Sequence, residues 1–562
     1  MNPSGTKILS TLLFLVFAFS TANAQVNVTD DITANTTWTA DNEYTLDGLI
    51  FVDAGATLTI EPGTVIKGLL NTSITTGDGA SALVVRRGGE IMAVGTAEEP
   101  IIFTSDLDDV SVSDDLTQRD RGLWGGVIIL GAATTNQPTV DNQIEGIPET
   151  ENALYGGTDD DDNSGTLKYV SIRHGGFSIS GVEGDEINGL TLGAVGRGTT
   201  IENVEVYANF DDCFEWFGGT VNTKWLVGAF CGDDSFDYDQ GFRGRGQFWF
   251  SIHDDDSAGR GGEHDGGDVG GDDATPFSTP IISNVTYIGS GATASVAGGD
   301  NNDRTFAIRD NAGGQYWYSV FTDYPGVAIN IEDLADDAAE DSRKRLEAGD
   351  LAFADNAWWN YGAGSTLDDI VDGDFAETIL ADAGNVMVDP MLAGISRTNN
   401  GGLDPRPNDG SPVIVPGTEF QVVDPDGHFV FEATDYWGAF RNKENWLEDW
   451  TALSSNGFLG DLVVATSTED ESSVPSRFAL SQNYPNPFNP VTTIEFAIDT
   501  NQEIRLSVID VLGREVKVLE QGLRTAGSYS VQFDALDLAS GMYFYQLKGE
   551  STTVVKTMLL MK

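Results

Sequence analysis

The stretch Asp211-Asp-Cys-Phe-Glu-Trp216 recurs 22 residues later as Asp233-Asp-Ser-Phe-Asp-Tyr238. If the two copies stack as neighbouring strands, equivalent positions lie about 4.8 Å apart. Alternation then puts Phe214, Trp216, Phe236 and Tyr238 on one face and Asp211, Glu215, Asp233 and Asp237 on the other. The aromatic face is expected inward. Carboxylates stacked at that spacing repel unless a cation lies between them, and a set of hard oxygen donors is what Ca2+ takes. Asp211, Glu215, Asp233, Asp237 and Asp239 are therefore the candidate metal ligands, with Ca2+ as the candidate ion. The competing reading is a solvated acidic face that keeps the chain in solution. Asp159-Asp-Asp-Asp-Asn-Ser-Gly165 is a second acidic loop of Ca2+-binding composition, without EF-hand spacing.

Other reactive side chains give weaker patterns. Cys213 and Cys231 form an even pair in a chain expected to be exported, which favours a disulfide. A 22-residue coil, however, stacks Cys231 on Asn209, four positions before Cys213. On a straight strand that offset is about 13 Å, beyond bonding reach, so a bond requires a corner between Asn209 and Cys213. Glu263, His264 and Asp265 meet in a Gly-rich stretch that lacks His-Glu-x-x-His spacing. No Gly-x-Ser-x-Gly elbow and no phosphate loop with its Lys-Ser/Thr is present, so neither Ser-His-Asp hydrolysis nor nucleotide binding is supported. Arg243, Arg245, Arg304 and Arg309 follow the acids and are candidate basic catalytic groups. Pairing with those acids is the plainer role. Trp249, Trp317, Trp358 and Trp359 are candidate sugar platforms, with core packing as the alternative.

These residues need elements to hold them. Gly55 to Ile66, Pro100 to Ser105, Gly125 to Gly131, Ile201 to Val206 and Ile281 to Ile288 are short β-branched runs bounded by Gly, Asn or Asp. Helical periodicity is nearly absent until Ile331 to Leu351. Many short strands with tight corners predict coils stacked into a parallel β-helix, right-handed by the crossover rule. Of 562 residues, 88 are Asp or Glu against 30 Lys or Arg, for a net charge of −58. That excess excludes a nucleic-acid binder and an anionic membrane surface as partner. The 40% hydrophobic fraction excludes wholesale disorder.

The chain divides by composition. Residues 1–24 carry a positive start at Lys7, an apolar run from Ile8 to Phe19 and an Ala22-Asn23-Ala24 site, the order of a secretory signal peptide. No later apolar run is long enough for a transmembrane helix, and no lipoprotein anchor is indicated. A passenger is expected over 25–465 and a linker over 466–477. A near-neutral module over 478–562 completes the chain, so almost all of the acid belongs to the passenger. In that module Thr492 to Ile498, Ile504 to Val511, Tyr529 to Phe533 and Tyr543 to Leu547 read as strands of a small antiparallel β-sandwich.

Leu480-Ser-Gln-Asn-Tyr-Pro-Asn-Pro-Phe-Asn-Pro490, Val508-Ile-Asp-Val-Leu-Gly-Arg514 and Leu538-Ala-Ser-Gly-Met-Tyr543 make this module resemble a type IX secretion sorting domain. The resemblance implies export through the periplasm to the cell surface, recognition by the type IX machinery, and attachment to surface polysaccharide or release after the domain is removed. Arg121-Gly-Leu-Trp-Gly-Gly-Val-Ile-Ile-Leu-Gly131, Tyr169-Val-Ser-Ile-Arg-His-Gly-Gly176 and Gly241-Phe-Arg-Gly-Arg-Gly-Gln-Phe-Trp249 make the passenger similar to β-helix surface proteins of the bacteria that use this secretion system. That group brings no functional residues to carry over. Asp435 to Phe440 and Trp446 to Trp450 look like the cap that closes the solenoid's last edge. The expected function is structural, adhesive or glycan-binding, stabilised by Ca2+. The alternative is a Ca2+-dependent polysaccharide lyase or glycoside hydrolase working in the groove.

Overall fold

The computed structural model describes residues 24–179, 186–255, 259–267, 271–295, 303–334 and 341–460. In the C-terminal module it describes 479–480, 488, 490–498, 501–510, 514–525, 527–536, 538, 541–549 and 553–560. The expected signal peptide (all but Ala24), the linker 466–477 and parts of the three C-terminal motifs lie outside the described residues. The chain forms two compact units that part between Asp461 and Leu462.

The first unit is a parallel β-helix with three strands per coil. A ten-stranded parallel sheet makes the first face, and a 19-stranded sheet bends to make the second and third. One coil runs from Leu190–Gly193 on the first face into Thr200–Tyr207, which supplies both other faces, and on to Phe214–Phe217. The bend between the second and third faces falls on residues with left-handed backbone, among them Asn203, Trp225, Phe248, Asn284 and Tyr318, at φ of 53°, 55°, 61°, 55° and 50°. The predicted 22-residue offset is the register, since Phe214 pairs with Phe236, Glu215 with Asp237 and Trp216 with Tyr238.

Inward positions build a continuous apolar column with stacked rings. Phe214 lies 5.5 Å from Phe236, and Trp216 lies 5.3 Å from Trp249 at 6° between planes. Such pairs contribute about 0.5–1.5 kcal/mol each beyond their buried area. Trp249 and Trp358 are therefore core residues, not sugar platforms, whereas Trp359 remains 39% exposed. On the outside of the first face one row reads Phe51, Val84, Ile128, Thr191, Glu215, Asp237, Glu263. Its apolar start is covered by an insertion whose Ile144, Ile147 and Tyr155 pack onto Phe51, Val84 and Ile128. The acids begin as that apolar stretch ends.

The expected cap is elsewhere. The last coil is closed by the helix Asp374–Asp382, whose Ala376 and Leu380 join the core beside Ile370 and Val371. A shorter helix, Ser342–Ala348, falls in the window where helical periodicity was expected, capped by Asp341 and ended at Gly349 with φ 82°. Residues 388–460 instead run back along the flank as a strap. Phe440, Leu447, Trp450 and Phe458 pack onto Tyr207, Val227, Phe230 and Phe250 of the third face. Trp450 is thus buried, and Trp446 half-buried, against mid-length coils, because an exposed apolar flank needed cover more than the last edge did.

The second unit has a three-stranded sheet (Ala479–Leu480, Val491–Ile498, Gly527–Asp534) and a four-stranded one (Gln502–Asp510, Glu515–Arg524, Gly541–Lys548, Thr553–Leu560), all antiparallel. Ile494, Leu506, Phe533, Tyr545 and Leu560 are among its core residues. Its strands at 515–524 and 553–560 were not expected from the sequence.

Candidate metal centre

The acids are placed by the corner that leads into the first face. Asn209 turns back to donate Nδ2 to the carbonyl of Asp212 at 2.8 Å, so the chain bends over 209–213 before the strand begins at Phe214. The same bend brings Cys213 to Cys231, with Cα atoms 5.7 Å apart, and the two are bonded. The straight-strand argument against this pairing fails because residue 209 and residue 213 stand on opposite sides of the corner.

Of the five expected ligands, Glu215 and Asp237 project outward on paired strands, as alternation requires. Asp211 and Asp233 belong to the corner, not to the strand. The structure gathers two groups whose ligand atoms lie within 4.8 Å of one another: Asp211, Asp212 and Asp233, and Asp212, Glu215 and Asp237. Asp239 joins neither; it pairs in register with Phe217 one pleat further on. The shared member, Asp212, was missed. Its signal was present in the repeated Asp-Asp doublet, but alternation carried through the corner had assigned it to the aromatic face.

Asp212 and Asp234 also form part of the frame. Asp212 Oδ1 accepts from the amide of Asp234 at 2.8 Å, and Asp234 Oδ1 accepts from the amide of Arg260 one coil on. Further along the axis the acids are neutralised. Arg309 grips Asp265 at 2.8 and 3.0 Å and reaches Glu263 at 3.0 Å, and Arg260 also pairs with Glu263. Among the described residues no Lys or Arg forms an ion pair with Asp212, Glu215 or Asp237, and Asp237 Oδ1 is buried without a hydrogen-bond partner. Burial pushes the carboxyls of Asp211, Asp212, Glu215 and Asp237 well above the ordinary range. The nearest acids push the same way: Asp233 on Asp211, Asp237 on Asp212, Glu145 on Glu215 and Glu263 on Asp237. A cluster of this kind takes up either protons or a cation.

The other candidates are occupied. In the acidic loop, Asp160 accepts from the amide of Thr134 at 3.0 Å and pairs with Arg243 at 3.3 Å, while Asp161 pairs with Arg197 at 2.8 Å. Arg245 is held between Asp424 and Asp426, both at 2.9 Å, and Arg304 by Asp303. His264 points into the core, 3.9 Å from the Tyr238 ring and with Nε2 2.8 Å from Tyr316 Oη, while Glu263 and Asp265 face outward. His253 is buried, with Nε2 2.8 Å from Ser235 Oγ. Burial presses both histidines down to about 3.

Beside the acidic cluster lies a cavity of about 890 Å³, walled by residues 137–149 of the insertion and by Glu215, Phe217 and Asp239 of the first face.

Residues 30–386 match the Pectate-lyase like beta helix domain family, and residues 482–561 match the Secretion system C-terminal sorting domain. No curated protein matches the chain. The sorting domain indicates recognition by the type IX machinery and export to the cell surface or beyond, and no helix among the described residues is long and apolar enough to cross a membrane. With its coils, its three faces and its matched span covering more than half of the sequence, the chain belongs to the pectate-lyase-like β-helix family and carries a type IX sorting domain.

Proposed function

We propose that this exported protein is a surface scaffold stiffened by Ca2+ that binds glycan on its first face. The observation that supports it is Asp212, a buried carboxylate shared by two groups of acids with no basic side chain paired to it among the described residues. Ca2+ takes six to eight oxygen ligands at roughly 2.3–2.6 Å, and Asp211, Asp212, Glu215, Asp233 and Asp237 supply oxygens from two adjacent coils. An ion there links the coils where their charges repel most. The lyase alternative asks for a basic group beside the acids. Arg243, Arg245, Arg304 and Arg309 are each engaged by carboxylates, so the binding role is the better supported.

Calorimetry tests the metal. Ca2+ at a hundred times its Kd adds about 2.7 kcal/mol to the folded state. The first unit is expected to melt higher in Ca2+, to lose the gain in chelator, and to show none in Asp237→Asn. Identical melting with and without the ion rejects the metal, and a glycan array without a hit leaves a purely structural coat.

A further inference from the structure

The Cys213–Cys231 bond runs through the acids. Asp212 directly precedes Cys213, and Asp233 follows closely on Cys231. The bond therefore ties the corner at 209–213 to the corresponding corner of the next coil, across a separation of 18 residues. Three hydrogen bonds link the same two segments. Gly232 N donates to the Asn209 carbonyl at 2.8 Å, Cys213 N to the Asp234 carbonyl at 2.9 Å, and Asp234 N to Asp212 Oδ1 at 2.8 Å. Gly232 lies against the Phe210 carbonyl with no room for a Cβ, so the two backbones touch. What these contacts hold together repels: Asp233 acts against Asp211, and Asp237 against Asp212. Beside Asp212 and Glu215, Asp237 Oδ1 is buried with no hydrogen-bond partner, an acceptor turned to nothing the protein supplies. Cys213 and Cys231 are 0% and 4% exposed, so the bond is sealed once the coil has formed.

We propose that the Cys213–Cys231 bond positions the Ca2+ ligands, and that the acids become a Ca2+ site only after it has closed. Asp212 belongs to both acid groups, and its place is fixed by the half-cystine that follows it. A site whose ligands are already held near their bound positions binds more tightly than one that must gather them. Here the ligands push each other apart, and hydrogen bonds lengthen under that push where a covalent bond does not. Closure takes two electrons and two protons from the two thiols, and a disulfide oxidant takes up both as it becomes a dithiol. Such oxidants act in the compartments that an exported chain enters, not in the cytosol. The order is therefore export, oxidation, then Ca2+. The inference rests on the Ca2+ reading above and names what controls that site; it does not involve glycan.

The test is calorimetric titration of the exported chain with Ca2+ alone, in the parent, in Cys213→Ala/Cys231→Ala and in Ile60→Ala. Ile60 is 1% exposed in the core of the strand Thr57–Ile60, several coils away, so its truncation lowers stability without touching the corner. Both variants are expected to melt below the parent with unchanged far-ultraviolet dichroism. Only the cysteine variant is expected to bind Ca2+ at least tenfold more weakly. If that variant does not fold, Cys231→Ser, which alters only the less buried sulfur, is read in the same way. Parent-like affinity without the bond overturns the proposal. An equal loss of affinity in Ile60→Ala overturns it as well, because the loss would then follow general stability. A parent that takes up no Ca2+ removes the metal reading itself, and this inference with it.

Discussion

At the scale of single residues, burial decides what each titratable group can do. His253 and His264 sit in the core with pKa values near 3, far below the ordinary value near 6.5. A histidine kept neutral in the fold stabilises it above about pH 6.5, and that contribution is lost as acid charges the unfolded chain, at about 2 kcal/mol per residue by pH 5. The buried carboxyls carry the opposite sign, because a raised folded pKa contributes at low pH and is lost as pH rises. The two effects separate in His253→Gln, whose melting temperature should fall less than the parent's between pH 7 and pH 5; parallel curves would mean that the histidine is already charged or solvated. The sequence showed the stacked acids because a 22-residue offset preserves register as well as residue type. It hid Asp212 and the Cys213–Cys231 bond for one shared reason: side-chain alternation is a rule for strands, and the chain has left the strand after Tyr207. Corner geometry depends on hydrogen bonds such as Asn209 to the Asp212 carbonyl, which no local pattern announces.

At the scale of elements, the coils were legible and their cover was not. Runs such as Val127–Leu130 identify themselves by β-branching, but nothing in Trp446 to Trp450 says which surface those rings will meet. The strap is fixed at its far end by Glu205, fully buried on the third face. Its carboxylate accepts from the amide of Ala452 at 2.6 Å, at the start of the helix Ala452–Ser455, and from Ser171 Oγ at 2.5 Å. Burial raises its pKa, so the contact depends on those donors. Glu205→Ala leaves an amide and a hydroxyl unsatisfied and opens a hole, at a cost of about 3 kcal/mol or more. Limited proteolysis should then cleave within 388–460 while the coils stay intact. Resistance equal to the parent's would show that the apolar contacts of Phe440, Leu447 and Phe458 suffice alone.

At the scale of the whole molecule, the charge of −58 belongs to the β-helix, and the near-neutral sorting module travels with it as an address. Deleting 478–562 is expected to leave the passenger in the periplasm; fractionation that still finds it on the cell surface would refute the export reading. The strap has a mechanical consequence. Because residues 388–460 return along the flank, the first unit ends not at its last coil but beside Tyr207 and Phe230, where Phe458 is seated. A tether joined beyond this point pulls on the solenoid broadside. Its load falls first on a packed apolar seam, in shear, whereas the same tether on the last coil would peel the strands away one after another, each rupture weakening the next.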